Sequence, residues 1–227
     1  MLKDIAIKLT NVSKKYMVHH EKPTLAERIL NGKNEEFWAL KNINLTINKG
    51  ERIGIIGPNG SGKTTLLKLI TGIATPTKGK IETNGKIVSL IDLEAGFHPD
   101  LSGITNIYLN GTVLGMSKKE IDEKLDEIIK FADIGKFIDA PLFTYSSGMK
   151  LRLGFSIAVY SEPKILLLDE IITVGDSSFR RKIKSAMRKM VNNGVTIVLI
   201  SQWLNLLKSL CNTIYSLNNA EIYKNTL

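Results

Sequence analysis

An α/β fold with parallel strands at its centre is predicted by three features of the chain. Residues 57–64 read Gly-Pro-Asn-Gly-Ser-Gly-Lys-Thr and lie between a short apolar run, 52–56, and a helix-like stretch, 65–70. The run Ile165-Leu166-Leu167-Leu168 is apolar throughout, as a central strand covered on both faces must be. Residues 195–200, Val-Thr-Ile-Val-Leu-Ile, repeat that character and form a second buried parallel strand.

The other elements follow from local pattern, in chain order. Ile5, Ile7 and Leu9 alternate with polar residues, as do Ile43, Leu45 and Ile47, which predicts half-buried strands of a mixed or antiparallel sheet. Residues 18–34 between them are polar, carry Pro23 and Gly32, and form an insertion or long loop with a helical stretch near 24–30. A strand is expected at 86–91, then a mostly helical section. There Ser117 and Glu120 form a capping box, and Ile121, Leu125, Ile128 and Ile129 share one apolar face. An amphipathic helix to about Tyr160 follows Tyr145-Ser146-Ser147-Gly148-Met149-Lys150. A basic helix spans about 178–191, and a hairpin around Asn218-Asn219 spans 214–223.

Composition narrows the function classes. A length of 227 residues suits one α/β domain, or one with a small helical insertion. No run approaches the roughly 18–20 apolar residues of a membrane span, and Met-Leu-Lys-Asp-Ile-Ala does not resemble a signal peptide. Cys211, the single cysteine, cannot form an internal disulfide, which fits a reducing cytoplasm. The net charge of +9 invites a nucleic-acid reading, but the lysines are scattered. The tightest cluster, Arg180-Arg181-Lys182 with Lys184, Arg188 and Lys189, reads as a solvated face or one attracted to an anionic membrane surface. His19, His20 and His98 lack metal-ligand spacing and read as surface histidines.

The chemistry begins at the glycine-rich loop. Glycines let successive backbone N–H groups curl around β- and γ-phosphates, and a following helix aims its positive end at them. Gly57, Pro58, Asn59, Gly60, Ser61, Gly62, Lys63, Thr64 and Thr65 are therefore expected to bind a nucleoside triphosphate. Lys63 supplies a point charge, and the Thr64 hydroxyl suits Mg²⁺. Asp169 and Glu170 stand after the second apolar run, at the edge where a doubly wound sheet places its ligands. Such a pair also serves as a helix N-cap; beside a phosphate loop, Asp169 is expected to hold Mg²⁺ through water and Glu170 to polarise the attacking water. Ser146, Ser147 and Gly148 start a helix with unpaired N–H groups and a free hydroxyl, which favours an anion.

In that order along the chain, these motifs resemble the nucleotide-binding subunits of ABC transporters over essentially the full length. Residues 57–64 are similar to their Walker A, Tyr145-Ser146-Ser147-Gly148-Met149 to the signature motif, and 165–170 to Walker B. Val174-Gly175-Asp176 resembles the D-loop, and Tyr16 matches the aromatic residue that stacks on adenine. The resemblance implies an α/β P-loop NTPase core with a mixed sheet, an antiparallel β subdomain, and a helical subdomain over about 95–160 within one domain, 1–227. The Tyr-Ser-Ser-Gly-Met signature, Ala95-Gly96-Phe97-His98-Pro99-Asp100-Leu101-Ser102-Gly103 and Asn106-Ile107-Tyr108-Leu109-Asn110-Gly111 are similar to bacterial exporters of lipid-linked polysaccharides. So is the insertion before Phe37-Trp38-Ala39-Leu40.

That branch implies an ATP- and Mg²⁺-dependent homodimer docked beneath two integral-membrane permease subunits, on the cytoplasmic face of a bacterial membrane. Its cargo would be O-antigen, capsule or teichoic acid, with the glycan contacted mainly by the permease and no nucleic acid involved. Two departures are present. Gln202 stands where the family's switch histidine should follow Ser201, and Asp92, Leu93 and Glu94 occupy the vicinity of the usual Q-loop glutamine. Gln202 can donate a hydrogen bond toward a γ-phosphate, but unlike histidine it cannot take up a proton and become charged. It motivates an alternative: a hydrolysis-impaired or regulatory ABC nucleotide-binding protein. Soluble regulatory ABC ATPases usually carry two cassettes or a long coiled-coil insertion, and neither is found here.

Overall fold

The structure is a computed structural model that describes residues 4–18, 35–91, 96–169 and 177–225. The expectations for residues 19–34, for Asp92, Leu93 and Glu94, for Glu170 and for Val174-Gly175-Asp176 lie outside the described residues.

Two sheets form. Strand β1 (Ile5–Val18) pairs antiparallel with β2 (Glu35–Asn48) on one side and with β4 (Lys78–Thr83) on the other. The larger sheet has the order β5-β6-β7-β3-β8-β9. Its members are β3 (Arg52–Ile56), β5 (Ile87–Leu90), β6 (Ile165–Asp169), β7 (Thr196–Ile200), β8 (Thr213–Asn218) and β9 (Glu221–Asn225). All pairings in it are parallel except that of β9, an antiparallel edge. The helices are α1 (Lys63–Ile70), α2 (Gly103–Val113), α3 (Lys118–Ala132), α4 (Ser147–Tyr160), α5 (Ser177–Asn192) and α6 (Leu204–Leu210).

The apolar runs become the sheet's centre because successive side chains in a strand point to opposite faces. In β6, Leu166 and Leu168 join the core under α4, α5 and α6, whereas Ile165 and Leu167 join the core shared with α1, β1 and β2. Strand β7 divides the same way, with Ile197 and Leu199 on one side and Val198 and Ile200 on the other. A third core lies among α2, α3 and α4, around Ile107, Ile121, Ile128, Leu153 and Ile157. The capping box at Ser117 forms as expected: its hydroxyl accepts from Glu120 N–H and the Glu120 carboxylate accepts from Ser117 N–H at 2.7 Å.

Four differences from the sequence reading have physical causes. Helix α4 is not amphipathic: Leu151, Phe155 and Ala158 face the large sheet while Leu153 and Ile157 face α2 and α3, so apolar residues surround it. Strand β4 was not anticipated, because Lys-Gly-Lys-Ile-Glu-Thr is polar; it forms by pairing with the backbone of β1. Helix α6 is too short for its two buried leucines, Leu207 and Leu210, to set a visible period. The hairpin turn sits one residue later than expected, at Asn219 and Ala220 (φ 49° and 65°), the left-handed pair that a tight two-residue turn requires. The Ala220 carbonyl accepts from Lys41 N–H at 2.7 Å, tying β2 to the edge of the large sheet.

Candidate nucleotide-binding site

Register in the large sheet assembles the site. Ile55 of β3 and Asp169 of β6 both lie beside Ile200 of β7, so three strands end together. The loop after β3, the carboxylate of Asp169 and the Ser201-Gln202 segment after β7 therefore share the carboxyl edge of the sheet, where open α/β folds bind ligands. Buried Ser201 anchors its segment: its N–H donates to the Ile55 carbonyl at 3.2 Å and its hydroxyl accepts from Trp203 N–H at 3.0 Å.

The loop 57–62 is held where side chains cannot fit. A Cβ on Gly57 would lie 2.2 Å from the Leu217 carbonyl oxygen. One on Gly62, whose φ is +102°, would lie 2.4 Å from the carbonyl oxygen of Ala39. Gly62 is also the N-cap of α1 and supplies no side-chain cap. The first N–H groups of α1 thus stay available to an anion, as the first turn of any helix leaves them. Within the same loop Ser61 Oγ is buried without a hydrogen-bond partner among the described residues. Lys63 is only 7% exposed and donates to the carbonyls of Gly57 at 2.8 Å and Pro58 at 2.7 Å, so its charge sits inside the curl.

Around that curl lies a cleft of about 470 Å³ lined by Tyr16, Phe37, Ala39, Asn59, Gly60, Gly62, Lys63, Thr64, Thr65 and Asp169. The Thr64 hydroxyl donates to the Asp169 carboxylate at 3.2 Å. A hydroxyl and a carboxylate oxygen side by side are the hard oxygen donors that Mg²⁺ prefers, so these residues fit the metal the sequence implied. Pro58 and Ser61 line an adjoining hollow with Trp38, Lys41 and the β8–β9 turn.

The far wall is aromatic. Tyr16 lies within β1, and its register partner on β2 is Phe37. Both rings are open to solvent, at 40% and 50% exposure, and Lys14 Nζ sits 5.1 Å from the Tyr16 ring centroid. Phe37 was not anticipated as a site residue. Pairing the alternating patterns of β1 and β2 across the hairpin would have found it.

Gln202 reaches the loop. Its side-chain N–H₂ donates to the Asn59 amide oxygen at 2.6 Å, joining the segment after β7 to the crown of the phosphate loop. His98 lies elsewhere, in an exposed turn where Nδ1 accepts from Asp100 N–H at 3.3 Å.

The signature segment is apart from this cleft. Ser146 caps α4 by accepting from Met149 N–H at 3.2 Å, which pairs one of the helix's first N–H groups and leaves the Ser146 O–H able to donate. Ser147 is exposed, and Ser146 and Gly148 border a groove of about 540 Å³ with residues 133–137, Met149 and Arg152. That groove shares no lining residue with the phosphate cleft. Tyr145 is buried; its hydroxyl donates to the Phe137 carbonyl at 2.5 Å, and burial, with Asp139 nearby, pushes its pKa up to about 12. The ring fits because Gly103 offers no Cβ, which would lie 2.2 Å from the tyrosine oxygen.

Comparison with known proteins agrees with this geometry. The pattern describing the ABC transporter family matches residues 40–173. This chain belongs to that family. The cassette is 39% identical over 223 residues to the O-antigen export system ATP-binding protein RfbB of Klebsiella pneumoniae, covering 94% of this chain and 90% of that one. A protein of the same name from Myxococcus xanthus is 53% identical over 173 residues, 76% of this chain and 40% of its own length. The teichoic acids export ATP-binding protein TagH of Bacillus cereus is 45% identical over 208 residues, 90% of this chain and 38% of its own. The cassette thus spans well under half of those two relatives. Among solved structures, a dimeric ATP-binding cassette in a post-hydrolysis state with ADP and Pi superposes with a TM-score of 0.80. It is 26% identical and covers 97% of this chain and 98% of that one. An ABC cassette of this fold is an ATPase subunit, and no helix among the described residues is long and apolar enough to cross a membrane.

Proposed function

We propose that this ATPase subunit powers export of a lipid-linked polysaccharide, of the O-antigen, capsule or teichoic-acid class, across a bacterial cytoplasmic membrane. One observation carries the mechanism: the Tyr16–Phe37 wall, the phosphate loop and the Thr64–Asp169 pair share one cleft, while Ser146 and Gly148 border another. The names of the relatives, at 39% to 53% identity, support the cargo class.

In this reading Tyr16 stacks on adenine, with Phe37 beside it. The backbone N–H groups of 57–65 and the Lys63 ammonium bind the β- and γ-phosphates. Thr64 and Asp169 would hold Mg²⁺, which would offset phosphate charge. Glu170 orients and polarises the attacking water, and Gln202 donates toward the γ-phosphate in place of a histidine. Ser146, Ser147 and Gly148 of a second copy close over the γ-phosphate, with Asp176 at the same dimer seam. Closure excludes water, and through the permease subunits it moves the membrane half of the transporter. The glycan is contacted mainly by the permease, and the homodimer works at the cytoplasmic face.

The test is the Glu170→Gln variant. ATP should drive it into a stable dimer on size-exclusion chromatography with hydrolysis lowered by about 100-fold or more. A variant that stays monomeric with ATP overturns the composite site. Gln202 favours a second reading, a nucleotide-binding module with little hydrolysis. Brisk hydrolysis by the unaltered chain with its permease would exclude it.

A further inference from the structure

Helix α5 carries six cations, Arg180, Arg181, Lys182, Lys184, Arg188 and Lys189, and no acidic residue. Its apolar face is fully used: Phe179, Ile183, Ala186, Met187 and Met190 are buried against the large sheet and its neighbours. At 3.6 residues per turn, Arg181 and Arg188 fall opposite that buried face, with Lys184 and Lys189 flanking them. Lys182 lies at the margin and pairs with Asp133 at 2.9 Å. The other five make no ion pair among the described residues.

The arrangement works against the helix that bears it. Arg180/Lys184 and Lys184/Arg188 are same-charge pairs at i,i+4, and Arg181/Lys184 is one at i,i+3. Arg180 and Arg181 also sit at the end of the helix that repels cations, with no acidic residue in the first turn. A face that lowers helix stability and finds no counter-charge among the described residues is explained when an external polyanion neutralises it.

The chemistry between the cations selects the polyanion. Ser185 and Asn192 separate them on the outward face, and no aromatic residue is exposed on the helix to stack on bases. Nor does any exposed apolar residue stand ready to insert among acyl chains. What remains is a convex strip of charge, which suits a flat negative surface and is the size of polybasic cluster that anionic lipid headgroups attract. We propose that the outward face of α5 docks on anionic phospholipid headgroups of the bilayer. Its biological setting rests on the membrane-exporter reading.

The experiment is co-sedimentation of the full chain with phosphatidylcholine vesicles, with and without phosphatidylglycerol, at low and high salt. Binding is expected only with phosphatidylglycerol and should fade at high salt. The R181Q/K184Q/R188Q variant should lose about a hundredfold in partitioning, with its ATPase rate unchanged and its melting temperature equal or slightly higher, since like-charge repulsion is relieved. A charge-matched control, K118Q/K119Q/K136Q, should bind like the unaltered chain. Equal loss in both triple variants, no preference for phosphatidylglycerol, or tighter capture by duplex DNA through the same three residues would each overturn the proposal. Should the triple variant melt early, the single changes R181Q and R188Q, each expected to cost several-fold, decide the matter. Vesicle binding without any ATPase activity would count against the transporter reading and leave the lipid surface standing.

Discussion

The phosphate loop and the signature segment are both glycine- and serine-rich entries into a helix, yet their surroundings differ. At the loop, helix α1 starts at Gly62 with no side-chain cap, a buried lysine lies in the curl, and Ser61 Oγ is buried without a partner among the described residues. At the signature, Ser146 caps its own helix and its groove shares no lining residue with the phosphate cleft. The first is a site prepared within one chain. The second is a finished helix start, rigidly mounted through Tyr145, that presents its surface outward. The contrast is what the proposed pairing of two copies requires: one would prepare the phosphates' seat and the other would supply its cover.

Mixing inactive variants is the most severe way to break this comparison. Lys63→Ala and Ser146→Arg should each lower hydrolysis by about 100-fold or more as homodimers. Mixed together, they should regain activity, because the heterodimer keeps one site with both halves intact. If mixing restores nothing, the two regions do not meet across a dimer. A subtler change sharpens the same contrast. Ser146→Ala removes the cap of α4 and should cost about 1 kcal/mol in stability by denaturant melts, while nucleotide affinity of the monomer stays unchanged. The smallest effect concerns the Gln202–Asn59 hydrogen bond. A double-mutant cycle of Asn59→Ala and Gln202→Ala, read by nucleotide titration, should give a coupling of about 0.5–1.5 kcal/mol. A coupling of zero would mean that the contact does not shape the loop.

Legibility in the sequence followed the source of each element's stability. Strands β3, β6 and β7 were readable because a strand buried on both faces must be apolar throughout. The capping box of α3 was readable because its chemistry is local. Strand β4 was not, since its pairing energy lies in backbone groups that every residue carries. The amphipathic reading of α4 failed because the helix lies between two cores rather than on a surface.

For the site, residue types and spacing singled out the loop 57–64 and Asp169, since backbone conformation and ligand chemistry restrict which residues serve there, whereas Tyr16 was singled out only through the family resemblance. Proximity was another matter. That Thr64 lies 3.2 Å from Asp169, that Phe37 stands beside Tyr16, and that Gln202 bonds Asn59 are consequences of strand order and register. Those contacts join residues far apart along the chain, and their closeness depends on which strands pair and on which residues stand opposite. A local pattern specifies a helix cap or a buried strand, but only the packed sheet decides which loop ends meet at its edge.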